Sequence, residues 1–201
     1  MINSQMNFLA HAYLSFYNPP LLVGNMIADF VKGKKSLNRF PEAIQAGIVL
    51  HRAIDEFTDT HPVTHQVRDM FRLHYGLCAA LFADVIYDYF LANDSRIFNK
   101  HSLQTFAQYT YQTLHAYRQW WPDDFDRVFM YMETQNWLWN YRTESGLFRS
   151  MESLIRRFHL AQGIQPAMDD FHTHYEKLQG CYQRFFPALQ SFVRNFHPLH
   201  A

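Results

Sequence analysis

Polar residues sit at helix-periodic positions inside largely apolar runs of this sequence, and their types are those that hold metals or move protons. His11 is the sole ionisable group in "NFLAHAYL". Asp29 is the only charge in "LLVGNMIADFV", with Asn25 one turn before it. "LHRAIDEFTDTHP" sets His51, Asp55 and Asp59 at four-residue steps beside Leu50, Ala53, Ile54 and Phe57, and "AALFADVIYDYFLA" carries only Asp84 and Asp88. Side chains four apart are neighbours on a helix, and a helix that is apolar all round is a buried one. Two carboxylates buried a turn apart need a cation, a proton or hydrogen bonds to offset their desolvation. Helical bundles hold metals with imidazoles and carboxylates from facing helices. A mixed His/Asp set suits divalent Mn, Fe or Zn and, with few imidazoles, Mg. Readings without a metal stay open at this point. His11 also reads as a satisfied core imidazole, Asp29 as a cap or a partner of Lys32, His51 with Asp55 as a surface pair, and Asp84 with Asp88 as partners of Arg52 or Arg68.

The elements that must position these groups are helices. Apolar residues recur with helical spacing over roughly 5–17, 20–32, 40–59, 62–76, 77–93, 101–120, 123–142, 144–162 and 166–195, and strand-like alternation is hard to find. Asn18-Pro19-Pro20, Asn93-Asp94-Ser95, Trp121-Pro122 and Gly163 punctuate the segments. With no repeat, linker or low-complexity tract, residues 1–201 are expected to form one all-α domain, a helical bundle. Nineteen Phe and twelve Tyr call for a large aromatic core. Eighteen basic residues balance eighteen acidic ones, so no global field attracts nucleic acid or membrane, and no apolar run approaches a membrane span. Cys78 and Cys181 form neither a disulfide framework nor a CxxC motif, and the start "MINSQMNFLAHAYLSF" lacks the features of a signal peptide, so a cytoplasmic location is expected. Local basic clusters remain: Lys32, Lys34, Lys35 and Arg39; Arg68 and Arg72; Arg156 and Arg157. Beside a metal site, such clusters point to a phosphate-bearing or acidic partner.

These blocks, in order, resemble the acyl-carrier-protein phosphodiesterase family: "MNFLAHAYLS", "GNMIADFVKG", "AGIVLHRAIDEFTDTHP" and "DVIYDYFLA", followed more loosely by "NWLWNYR", "IRRF" and "YEKLQGCYQRFFPAL". The resemblance runs from Met6 to about Phe192, and residues 1–5 have no counterpart, which makes them a candidate dispensable extension. It implies an architecture resembling the helical His/Asp (HD-type) metal-dependent phosphohydrolases. It also implies an enzyme of lipid metabolism that hydrolyses 4′-phosphopantetheine from the serine of holo acyl carrier protein, with manganese as the usual metal and Mg or another divalent ion possible. Carried over, the family motifs point to His11, Asp29, His51, Asp55 and Asp88 as site residues, with Asp84 as a ligand or a supporting group. Asp29, Asp55 and His51 are the candidate proton acceptors, and Arg52 the group facing the non-bridging phosphate oxygens. Lys32, Lys34, Lys35, Arg39, Arg68 and Arg72 are the candidate docking residues for an acidic carrier. The sequence departs from the wider phosphohydrolase pattern in having no adjacent His-Asp pair; His51 with Asp55 is its nearest substitute. Two alternatives stay open: a phosphohydrolase acting on a nucleotide or another small phosphodiester, and a non-enzymatic helical binding protein.

Overall fold

The computed structural model describes residues 8–196; it is helical throughout, with no strand among the described residues, as the periodicity required. The helices are α1 Phe8–Tyr13, α2 Pro19–Ile27, α3 Gly33–Leu37, α4 Glu42–Thr60, α5 Pro62–Asp69, α6 Arg72–Tyr75, α7 Ala80–Ala92, α8 Lys100–Ala116, α9 Asp123–Thr134, α10 Trp137–Asn140, α11 Glu144–Arg157, α12 Gln165–Thr173 and α13 Tyr175–Arg194. Single 3-10 turns follow α2 at Ala28–Phe30, precede α7 at Gly76–Ala79 and follow α8 at Arg118–Trp120. Residues 1–5, read from sequence as dispensable, lie outside the described residues.

Local chemistry sets the helix starts. Asn18 accepts from the Leu21 amide ahead of Pro19-Pro20, and Asn99 with Ser102 closes a capping box on α8. Thr143 caps α11, and the His61 ring accepts from the Val63 amide at the start of α5. Ends differ from the sequence expectation wherever a residue enters the left-handed region without glycine. Phe16 and Tyr17 (φ 48° and 58°) follow the end of α1, Asn136 (φ 47°) divides the expected 123–142 helix, and His159 (φ 51°) lies just beyond α11. The expected 62–76 helix breaks at Met70–Phe71 and stops at Gly76, and the expected 166–195 helix is interrupted at His174.

α7 is the central element, buried at every residue from Leu81 to Ala92, and packs on α11, α1, α13 and α5. The stretch Arg72–Ala92 reaches the length and hydropathy of a membrane span, which corrects the expectation that no run would; most of it is buried against its own protein. The most extensive helix pairing is α2 on α4. It is made possible by two glycines. A Cβ at Gly24 would run into the Ile44 carbonyl, and one at Gly47 into the Leu21 carbonyl, so the two backbones touch. That close approach matters because α2 carries Asn25 and α4 carries His51 and Asp55.

Candidate metal centre

α1, α2, the 3-10 turn after it and α4 bring His11, Asn25, Asp29, His51 and Asp55 together. Asn25 organises them. Its Nδ2 donates to the His11 carbonyl (2.8 Å) and to Ser15 Oγ (3.2 Å), which turns its Oδ1 to His11 Nδ1 at 2.7 Å. The Asn25 carbonyl lies 2.8 Å from His51 Nδ1. An amide oxygen only accepts, so each imidazole must donate from Nδ1, and in the neutral ring the lone pair then sits on Nε2. Both Nε2 atoms are fully buried and have no aligned hydrogen-bond partner. They converge on Asp55: His11 Nε2 is 3.2 Å from its Oδ1, and His51 Nε2 is 3.2 Å from its Oδ2. Asp29 Oδ1 lies 3.4 Å from His51 Nε2.

The protonation pattern follows from this crowding. Burial pushes the His11 imidazole down, and the neighbouring His51 pushes it further, against the pull of Asp55 and Asn25. Burial pushes His51 down too, but Asp55 and Asp29 outweigh it and hold the ring up at about 10. Burial would raise Asp55, yet the His51 charge and the contacts of both imidazoles hold its carboxyl well below the usual range. The two rings stack at 4.0 Å between centroids, too close for both to be cations. One positive charge therefore sits between two carboxylates, at atoms suited to a divalent ion. The ligand atoms of His11, His51 and Asp55 lie within 4.8 Å of one another. Their 3.2 Å separations match the roughly 3 Å edge between adjacent ligands on bonds of about 2.1 Å. The residues fit a metal, and the Nδ1 hydrogen bonds supply the outer support that metal-binding imidazoles use.

Asp88 lies outside that group. Its Oδ2 accepts from the Leu9 amide (2.9 Å) and its Oδ1 from the Ala10 amide (2.8 Å), so both oxygens hold the first turn of α1 at the two residues just before His11. Burial, more than these bonds relieve, raises its carboxyl well above the usual range. Asp84 is buried one turn earlier on α7. Asp59, third in the four-residue series on α4, faces outward and takes Arg68 at 2.5 Å. Arg52 is exposed and donates from Nη2 to the Val31 carbonyl (2.9 Å), two residues past Asp29. Lys32, Lys35 and Arg39 are exposed, whereas Arg72 pairs with Asp69 at 3.1 Å. The Lys34 side chain lies outside the described residues. The sequence marks Asn25 only as a neighbour of Asp29. The one signal for its larger role was an amide in an otherwise apolar helix, and Ser15 carried none.

Known proteins are similar in sequence over nearly the whole chain. The sequence model of the family described as acyl carrier protein phosphodiesterase matches residues 6–189. A protein named acyl carrier protein phosphodiesterase from Photorhabdus laumondii is 29% identical over 191 residues, covering 94% of this chain and 96% of the relative. Proteins of the same name from Yersinia enterocolitica (29% over 187 residues, 92% of this chain and 96% of the relative) and Klebsiella pneumoniae strain 342 (29% over 191 residues, 94% and 98%) are similar to the same extent. No solved structure matches the chain. The chain belongs to the acyl carrier protein phosphodiesterase family.

Proposed function

We propose that this chain is a metal-dependent phosphodiesterase that removes 4′-phosphopantetheine from the serine of holo acyl carrier protein, with manganese as its ion and the cytoplasm as its location. The observation that carries the reading is the pair of buried Nε2 atoms of His11 and His51, held in the same tautomer by Asn25 and directed at one carboxylate, Asp55.

His11, His51 and Asp55 would hold the ion. When bound, a divalent ion supplies Lewis acidity there, polarising a phosphoryl oxygen and acidifying a water. Asn25 keeps both Nδ1 atoms occupied, so the Nε2 lone pairs stay directed inward. Asp29, 8% exposed and at the edge of the group, is placed to accept the proton of the attacking water. Arg52, tied to the Val31 carbonyl, brings a guanidinium to the Asp29 side, where it offsets charge on the non-bridging oxygens. Asp88 acts as a positioning residue, fixing the first turn of α1 and thereby the height of His11. The water oxygen bonds to phosphorus as its proton passes to Asp29, the bond from phosphorus to the serine oxygen breaks, and the departing serine oxygen takes its proton from solvent water.

Mass spectrometry of holo acyl carrier protein after incubation with the enzyme and manganese tests this, beside an Asp55→Ala control. Loss of the prosthetic group with the enzyme and not with the control is the expected result. Intact holo carrier beside brisk hydrolysis of a small phosphodiester would overturn the carrier assignment and move the substrate to that class.

A further inference from the structure

The basic residues of this chain divide into two kinds. Five of the thirteen arginines are neutralised by their own acid: Arg68 by Asp59, Arg72 by Asp69, Arg96 by Asp94, Arg118 by Asp126 and Arg156 by Glu152. The connection from α2 to α4 is different. From Phe30 to Arg52 the sequence holds five bases, Lys32, Lys34, Lys35, Arg39 and Arg52, against one acid, Glu42. Among the described residues, Lys32, Lys35, Arg39 and Arg52 form no ion pair, and all four are exposed. In a chain of net charge zero this is a local positive surface.

Its place is fixed by the metal centre. Lys32 follows Asp29 by three residues, and the connection is tied down where Arg52, next to His51, donates to the Val31 carbonyl. The centre is most open at Asp55, whose side chain is 35% exposed and which lies one turn beyond His51 on α4. The positive surface thus borders the same group of residues.

We propose that an acidic protein surface docks on the α2–α4 connection through Lys32, Lys35 and Arg39, and that Arg68 and Arg72 take no part. The proposal rests on the carrier-protein reading above and sharpens it to one face. Uncompensated cations attract an acidic partner from a distance and act mainly on association rate, whereas Arg68 and Arg72 present ion pairs of no net charge. A nucleic acid fits less well, because Phe40, the one aromatic between Val31 and Pro41, is half-buried.

The test measures binding of fluorescently labelled apo acyl carrier protein, which lacks the prosthetic group, to the full-length enzyme at low and physiological salt. Lys35→Glu/Arg39→Glu is expected to weaken binding at least tenfold, chiefly by slowing association, and to flatten its salt dependence; Lys35→Gln/Arg39→Gln should fall between it and the unaltered enzyme. Arg72→Glu should stay within twofold. Equal weakening by Arg72→Glu, an effect under twofold from Lys35→Glu/Arg39→Glu, or no binding by the unaltered enzyme would overturn the proposal. Failure of the phosphodiesterase reading is separate: the unaltered enzyme would bind apo carrier with this pattern and yet leave holo carrier intact.

Discussion

Replacing Asn25 by alanine separates the support of the metal centre from its ligands. The side chain makes three buried hydrogen bonds: to His11 Nδ1 at 2.7 Å, to the His11 carbonyl at 2.8 Å and to Ser15 Oγ at 3.2 Å. Their losses are unequal. The His11 carbonyl keeps the Ser15 hydroxyl at 2.9 Å, so it retains a donor. The His11 Nδ1–H is left buried with no partner, at about 1–3 kcal/mol, and the two weaker losses add about 1 kcal/mol between them. The sum is about 2–4 kcal/mol, or a fall in Tm of about 5–15 °C for a chain of this size. His51 is spared, because its Nδ1 bonds the backbone carbonyl of Asn25. Manganese affinity should therefore fall by about 10–100-fold and not vanish. Calorimetric titration with Mn2+ and thermal unfolding of the metal-free protein read the two effects together. A variant with wild-type Tm and wild-type affinity would refute the reasoning, since it would mean that Asn25 orients nothing.

Other expectations follow from neighbouring features. Gly47→Ala places a methyl against the Leu21 carbonyl, so it should destabilise by about 3 kcal/mol and weaken manganese binding by pushing α2 off α4, measured by urea unfolding and metal titration. Asp88→Asn turns an amide donor toward a backbone N–H and should cost about 2 kcal/mol while still binding one Mn2+ per chain; loss of that ion would make Asp88 a ligand. Asp94 is held below its ordinary 3.8 by hydrogen bonds from Arg96, despite partial burial, with Tyr182 also donating to it. A depressed carboxyl stabilises the fold above its unfolded value and loses that contribution as pH falls through the folded one. Asp94→Asn should accordingly lower stability at pH 7 by under about 1 kcal/mol, a difference that shrinks as the pH falls below the ordinary carboxylate range, as chemical unfolding across that range would show.

Of the six candidate ligands, His11, Asp29, His51 and Asp55 were legible because water-seeking groups inside apolar helices demand partners. The same rule flagged Asp88, but it does not say which partner satisfies a buried carboxylate. Here two backbone N–H groups of α1 do so, and they are invisible to side-chain patterns. Gly24 and Gly47 carry no signal of their own in the sequence; only their facing positions make them a contact that brings Asn25 to His51. The helix content was plain from periodicity. Breaks at Asn136 and His159 were not, because left-handed residues other than glycine carry weak local signals.

The central claim is that the Nε2 atoms of His11 and His51 bind the ion that performs the hydrolysis. Pulsed electron paramagnetic resonance of the Mn2+-loaded protein tests it most directly, through coupling of the metal to imidazole nitrogen. The account predicts nitrogen coupling that weakens in His11→Gln, is lost in the double variant with His51→Gln, and falls in step with release of the prosthetic group from holo carrier. Tightly bound manganese without nitrogen coupling, in an enzyme that still hydrolyses holo carrier, would contradict it.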